Sequence, residues 1–247
     1  MHAPVVFIHG LIGTLQLPDM TAAFAPGRAL APDLLGYGTQ REVPPEAIDL
    51  PAQVAHLQRL IERHFPGEAV HLVGHSVGGV VAMLFAQAHG QQVRSLVSVE
   101  GNFSLDDAFW SAAVARMPAA EACAMLEGFR AEPAAWLERA GVQADARSLA
   151  IAEHWLAQQP ASTLQAMARS VVELTAPASY QAGLRRVFVS HPVHLLAGVR
   201  SRAGWHVPQW AEQAAVSHTL VADAGHLMML EQPESFLSAL KAALQLA

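Results

Sequence analysis

The chain holds a single cysteine, Cys123, among 247 residues. One thiol excludes an intrachain disulfide and a thiolate-rich metal site, and it points to a reducing compartment, the cytoplasm. Charge is sparse too. Asp, Glu, Lys and Arg make up 15% of the chain, and 21 acidic residues against 15 basic leave a formal charge of −6. No block of Lys and Arg occurs; Arg185, Arg186, Arg200 and Arg202 are scattered. This balance argues against a general nucleic-acid or anionic-membrane surface. No apolar run reaches the roughly 18–20 residues of a membrane span. The opening MHAPVVFIHGLIG lacks a basic leader and reads as a strand, not a signal peptide. The 13 histidines show no H-E-x-x-H spacing. His9-Gly10-Leu11-Ile12-Gly13 is too poor in glycine for a dinucleotide loop. No metal and no nicotinamide, flavin or haem cofactor is expected. Repeats, low-complexity tails and inter-domain linkers are absent as well.

What is present is apolar: 52% of residues are hydrophobic, the mix of a well-buried globular chain. Short apolar runs at Val5–His9, Arg28–Pro32, Val70–Val73, Val93–Val99, Val193–Ala197 and His218–Val221 read as strands. Helical spacing at Leu50–Phe65 and Val77–His89 separates the early strands, with Pro66-Gly67 stopping the first helix. Further helices are expected at Pro208–Ala215 and Glu234–Gln245. Strands alternating with helices predict a parallel sheet with crossovers, and nearly continuous apolar strands predict burial on both faces. From Leu105 to about Ala176 the pattern turns Ala-rich and helical, around Asp106–Arg116, Glu121–Phe129, Pro133–Ala140, Ala146–Ala157 and Ser162–Leu174. Phe109, Trp110, Phe129, Trp136 and Trp155 fall in this stretch. Most are expected in its core, with one or two facing a pocket beneath it.

Gly74-His75-Ser76-Val77-Gly78 lies between a predicted strand and a predicted helix. A serine at such a bend is held strained, with its oxygen exposed, while the flanking glycines let strand and helix approach. The helix aims its free N–H groups at the reacting centre. Ser76 is therefore the expected nucleophile. An oxyanion needs aimed donors. The Val77 N–H is one; the loop after the first strand offers the Leu11 N–H, with the Ile12 N–H behind it. His226 follows the last strand and is the expected general base. His9 is expected to shape the oxyanion loop, and His75 to pack beside the nucleophile.

The serine turn, the His9-Gly10 loop, Asp33-Leu34-Leu35-Gly36-Tyr37-Gly38 and Gly225-His226 together resemble the α/β-hydrolase superfamily. The resemblance is strong over 3–101 and moderate over 187–247. It lies closest to the small, capped branch of esterases, C–C hydrolases, haloperoxidase-like and haloalkane-dehalogenase-like enzymes. It implies a mostly parallel central sheet flanked by helices, with a helical cap inserted after the strand ending near Val99. The division it implies is core 1–102, cap 103–183 and core 184–247. Many relatives carry the triad acid in a pattern like A-G-x-x-D; here Ala197-Gly198-Val199-Arg200-Ser201 ends in serine. Dehalogenase-like relatives place the acid after the preceding strand, which falls on Glu100, the assigned acid. Asp106, Asp107 and Asp223 are the alternatives. A serine nucleophile suits acyl transfer rather than dehalogenation.

The activity so implied is hydrolysis of a small apolar ester, thioester, lactone or activated carbonyl compound through an acyl-enzyme. Two other classes stay open: C–C bond cleavage or cofactor-free carbonyl chemistry with His226 as substrate base, and a non-catalytic ligand-binding protein. A homo-oligomer is compatible with all three.

Overall fold

The computed structural model describes residues 2–245. Its centre is a six-stranded sheet in the order β2-β1-β3-β4-β5-β6, formed by β1 (Val5–Ile8), β2 (Ala29–Leu30), β3 (Val70–His75), β4 (Val93–Val99), β5 (Val193–Gly198) and β6 (Ser217–Val221). All five pairings are parallel, as the alternation of strand and helix patterns requires.

Side chains alternate across each strand, so one apolar strand feeds two cores. Val6 and Ile8 join one buried cluster, Val5 and Phe7 the other. In β4 Leu96 faces the first and Val97 and Val99 the second. The first face is covered by α2 (Leu50–His64), α3 (Val77–Ala88) and α9 (Ala178–Ser190); the second by α1 (Pro18–Ala22), α11 (Met228–Glu231) and α12 (Pro233–Ala243). Asp49 starts α2 by accepting the Ala52 N–H at 2.7 Å. Leu50, Val54, Leu57 and Ile61 then line its buried stripe.

Between β4 and α9 the chain forms the helical cap: α4 (Phe109–Arg116), α5 (Ala119–Ala131), α6 (Pro133–Arg139), α7 (Ala146–Ala157) and α8 (Ala161–Thr175). Trp155 is buried there, Trp110, Phe129 and Trp136 are half-buried, and Phe109 is 70% exposed. No strand forms in this stretch. α10 (Gln209–Ala214) precedes β6. The expected boundary at 183/184 falls inside α9, which packs along α3 against the sheet. No helix among the described residues is long and apolar enough to cross a membrane.

Glycine sets the close approach of β3 and α3. A Cβ on Gly74 would meet the Gly78 carbonyl at 2.5 Å, and one on Gly78 would run into the carbonyls of Ile8 and His9. Gly128, on the exposed side of α5, faces open space. Gly78→Ala is therefore expected to destabilise the fold by about 3 kcal/mol through backbone overpacking. Gly128→Ala is expected to stabilise it by about 0.5–1 kcal/mol. Urea unfolding of both variants checks the pair; equal effects would contradict this packing.

Candidate active site

β3 ends at His75, and the chain turns at Ser76 with φ 53° and ψ −122° before α3 begins. This backbone lies outside the regions a side-chain-bearing residue favours and costs on the order of 1–3 kcal/mol. The Ser76 side chain makes no capping hydrogen bond. Its Cβ lies 3.2 Å from where a Gly10 Cβ would stand, so the loop after β1 runs beside it. No backbone carbonyl among the described residues takes the N–H of Leu11 or of Val77.

Glu100, the residue after β4, also has a left-handed backbone, φ 46°. That turn brings its carboxylate to the far end of the chain: Oε2 lies 2.6 Å from His226 Nδ1. Oε1 accepts the Gly198 N–H at 2.9 Å and the Ser201 hydroxyl. Ser201, standing where many relatives carry the acid, is thus a donor to Glu100. Burial pushes the Glu100 carboxyl up, but the His226 hydrogen bond and charge, with the donors Ser201 and Gly198, outweigh it and hold it below its usual value.

The alternative acids lie elsewhere. Asp107 accepts the N–H groups of Phe103 (2.9 Å) and His206 (2.7 Å), tying together two loops, and burial raises its pKa. Asp106 is exposed, its N–H bonded to Ser104. Asp223, with φ 54°, is exposed and offers its carbonyl to Arg200. Arg200 also pairs with Glu231, which accepts the Gly225 N–H at 2.8 Å, so one ion pair braces the turn that carries His226. The His226 side chain is 43% exposed.

His75 is tied to the same turn. Its Nε2–H donates to the His226 carbonyl at 3.0 Å, and the two rings lie 4.6 Å apart. Burial, then the nearby His226, lowers its pKa to about 3. His9 is buried as well; burial lowers it to about 4. Its Nε2 accepts the Leu34 N–H at 3.4 Å, which leaves the Nδ1–H to donate to the Gly10 carbonyl at 2.9 Å. The buried Tyr37 hydroxyl donates to the Leu11 carbonyl at 2.9 Å and so fixes the plane of that peptide. The cap reaches this loop too. Gln159 Oε1 accepts the Gly13 N–H at 3.3 Å, and the Trp155 ring fills the space over Gly13.

Tyr37, Ser201 and Gln159 join the site without a sequence pattern that assigns them a role there. The Asp33–Gly38 motif contained the signal for Tyr37. The serine in the acid position was the signal for Ser201. Nothing local marks Gln159, which sits in an Ala-rich helical stretch.

Buried neutral histidines have a pH signature. Their folded pKa values lie below the unfolded value near 6.5, so the unfolded chain binds more protons in the interval between. Their stability contribution is full above about pH 6.5 and is lost as pH falls toward about 4. Each such group costs on the order of 2 kcal/mol at pH 5. Replacing His75 by Gln is expected to shrink the stability difference between pH 7 and pH 5 by about that much. Urea titrations at both pH values check this, and an unchanged difference contradicts it.

Comparison with known proteins agrees with this architecture. The profile described as "Alpha/beta hydrolase family" matches residues 5–239. Lipase LipV of Mycobacterium tuberculosis is 38% identical over 105 residues, covering 42% of this chain and only 39% of the lipase. The chain therefore spans well under half the length of that curated relative. Among solved structures, a carboxylesterase of Nitrososphaera gargenis superposes with a TM-score of 0.74 at 18% identity, over 99% of this chain and 90% of the other. A haloalkane dehalogenase variant from Bradyrhizobium elkanii gives 0.74 at 18% identity, over 99% and 89%. At such identities the likeness concerns the fold. With the profile running through nearly the whole sheet-and-cap arrangement, the chain belongs to the alpha/beta hydrolase family.

Proposed function

We propose that the protein is a serine hydrolase of the carboxylic-ester type, acting on a small apolar ester, thioester, lactone or activated carbonyl compound through an acyl-enzyme. The observation that carries this reading is the carboxylate–imidazole pair, Glu100 and His226, beside a strained serine turn. In the proposed cycle His226 takes the Ser76 proton as Oγ attacks the carbonyl carbon, and Glu100 stabilises the resulting imidazolium. The Val77 and Leu11 N–H groups hold the oxyanion. Collapse expels the leaving group, which takes the proton from His226. Water, activated by His226, then releases the acid and restores Ser76.

The lipase and carboxylesterase relatives support an ester substrate. The proposed division into core 1–102, cap 103–183 and core 184–247 gives the cap the task of selecting the acyl group. Cytoplasmic residence belongs to the same proposal and rests on the single thiol, Cys123.

Short p-nitrophenyl esters and a fluorophosphonate probe test the reading. Ser76→Ala is expected to abolish both turnover and labelling. Glu100→Gln is expected to lower kcat by roughly 10,000-fold while Ser76 stays in place. Ser201→Ala takes one donor from Glu100 and leaves a more basic carboxylate. The acid limb of kcat should then move up by about 0.5 pH unit with KM unchanged. Esterase activity that survives Ser76→Ala would overturn the proposal.

A further inference from the structure

The sheet edge where the strands begin, opposite the Ser76 turn, holds a cleft of about 530 Å³. His2, His71, Arg94, Ser95 and His194 line it, together with the end of α12, and no Asp or Glu does so among the described residues. This is unusual in a chain carrying 21 acidic and 15 basic residues. The flanking groove, which shares His2, adds Arg28 and Lys241; Arg28 is paired with Glu68.

The two buried histidines are built alike. His71 stands in register with Ser95, and His194 with Ser217. Their Nδ1 atoms lie 2.7 Å and 2.8 Å from the respective serine hydroxyls. A serine that donates to Nδ1 leaves the proton on Nε2. Neither Nε2 is among the sealed, partnerless polar atoms, and both rings line the cleft. With Ser95 and Ser217 taken as the donors, two ring N–H groups and the Arg94 guanidinium line one cleft. A metal fits poorly, because no group of three or more His, Cys, Asp or Glu among the described residues is arranged to hold one.

We propose that this cleft binds a small oxyanion of the phosphate type, held by the Nε2–H groups of His71 and His194 and by Arg94. The site is independent of the hydrolase reading. Burial, followed by the charges of Arg94, His194 and His2, lowers the His71 pKa to about 4, and burial lowers that of His194. A bound dianion favours the imidazolium, so binding tightens as pH falls.

The test is a titration of the full chain with inorganic sulfate, dianionic throughout the range, at constant ionic strength set with chloride. The imidazole nitrogens are followed by NMR at pH 8 and pH 6. Saturable shifts at His71 and His194, tighter at pH 6, are expected. Arg94→Gln should weaken binding at least tenfold, and fluorophosphonate labelling of Ser76 should not change. Inorganic phosphate and glycerol phosphate then distinguish a free anion from the phosphate of a metabolite, and binding of either supports the site. Shifts that do not saturate, that chloride reproduces, or that persist equally in Arg94→Gln overturn it. Zinc binding to the same rings with sulfate inert overturns it as well.

Discussion

The arrangement at the upper edge of the sheet depends on one contact, the 2.6 Å hydrogen bond between Glu100 and His226. It joins residues 126 positions apart in the chain. A buried carboxylate is costly unless its lone pairs are met. Here they are met from three directions: His226 on Oε2, and Gly198 and Ser201 on Oε1. The left-handed turn at Glu100 is what swings the carboxylate into that position. The neighbouring β5, the loop that follows it and the loop after β6 are therefore all held to the end of β4.

His75, His9 and Tyr37, also buried at this edge, serve the same end without carrying charge. His75 and His9 are too deeply buried to ionise at neutral pH. Each instead spends its ring nitrogens on loop backbone: His75 on the His226 turn, His9 on Gly10 and Leu34. Tyr37 completes the loop after β1 through Leu11. Neutral buried donors hold loops at lower desolvation cost than ions would. Glu100 is the buried charge that the proposed mechanism uses.

Much of the sheet was legible because its strands are short apolar runs ended by glycine or a turn, and β4 spans the residues its hydropathy pattern predicts. α9 was not read. Tyr180, Leu184, Val187 and Phe188 do recur at helical spacing and are buried, but the β-branched end of the segment masked the period. α1 and α11 are too short for periodicity to register. At the site, Ser76 and His226 stand out by position relative to strand ends, and Glu100 by the absence of an aspartate at 201. The roles of Ser201 and Gln159 escaped because they depend on contacts across 101 and 146 residues, which no local pattern encodes.

The pairing of Glu100 with His226 has a direct spectroscopic mark. A proton held between an imidazole Nδ1 and a carboxylate resonates far downfield of ordinary ring protons. The proton spectrum of the full chain, recorded in water as pH is lowered, is predicted to contain one such resonance. It should survive in Ser76→Ala and vanish in both Glu100→Gln and His226→Gln. A resonance that persists in Glu100→Gln, or that never appears in the unsubstituted protein, would contradict the account.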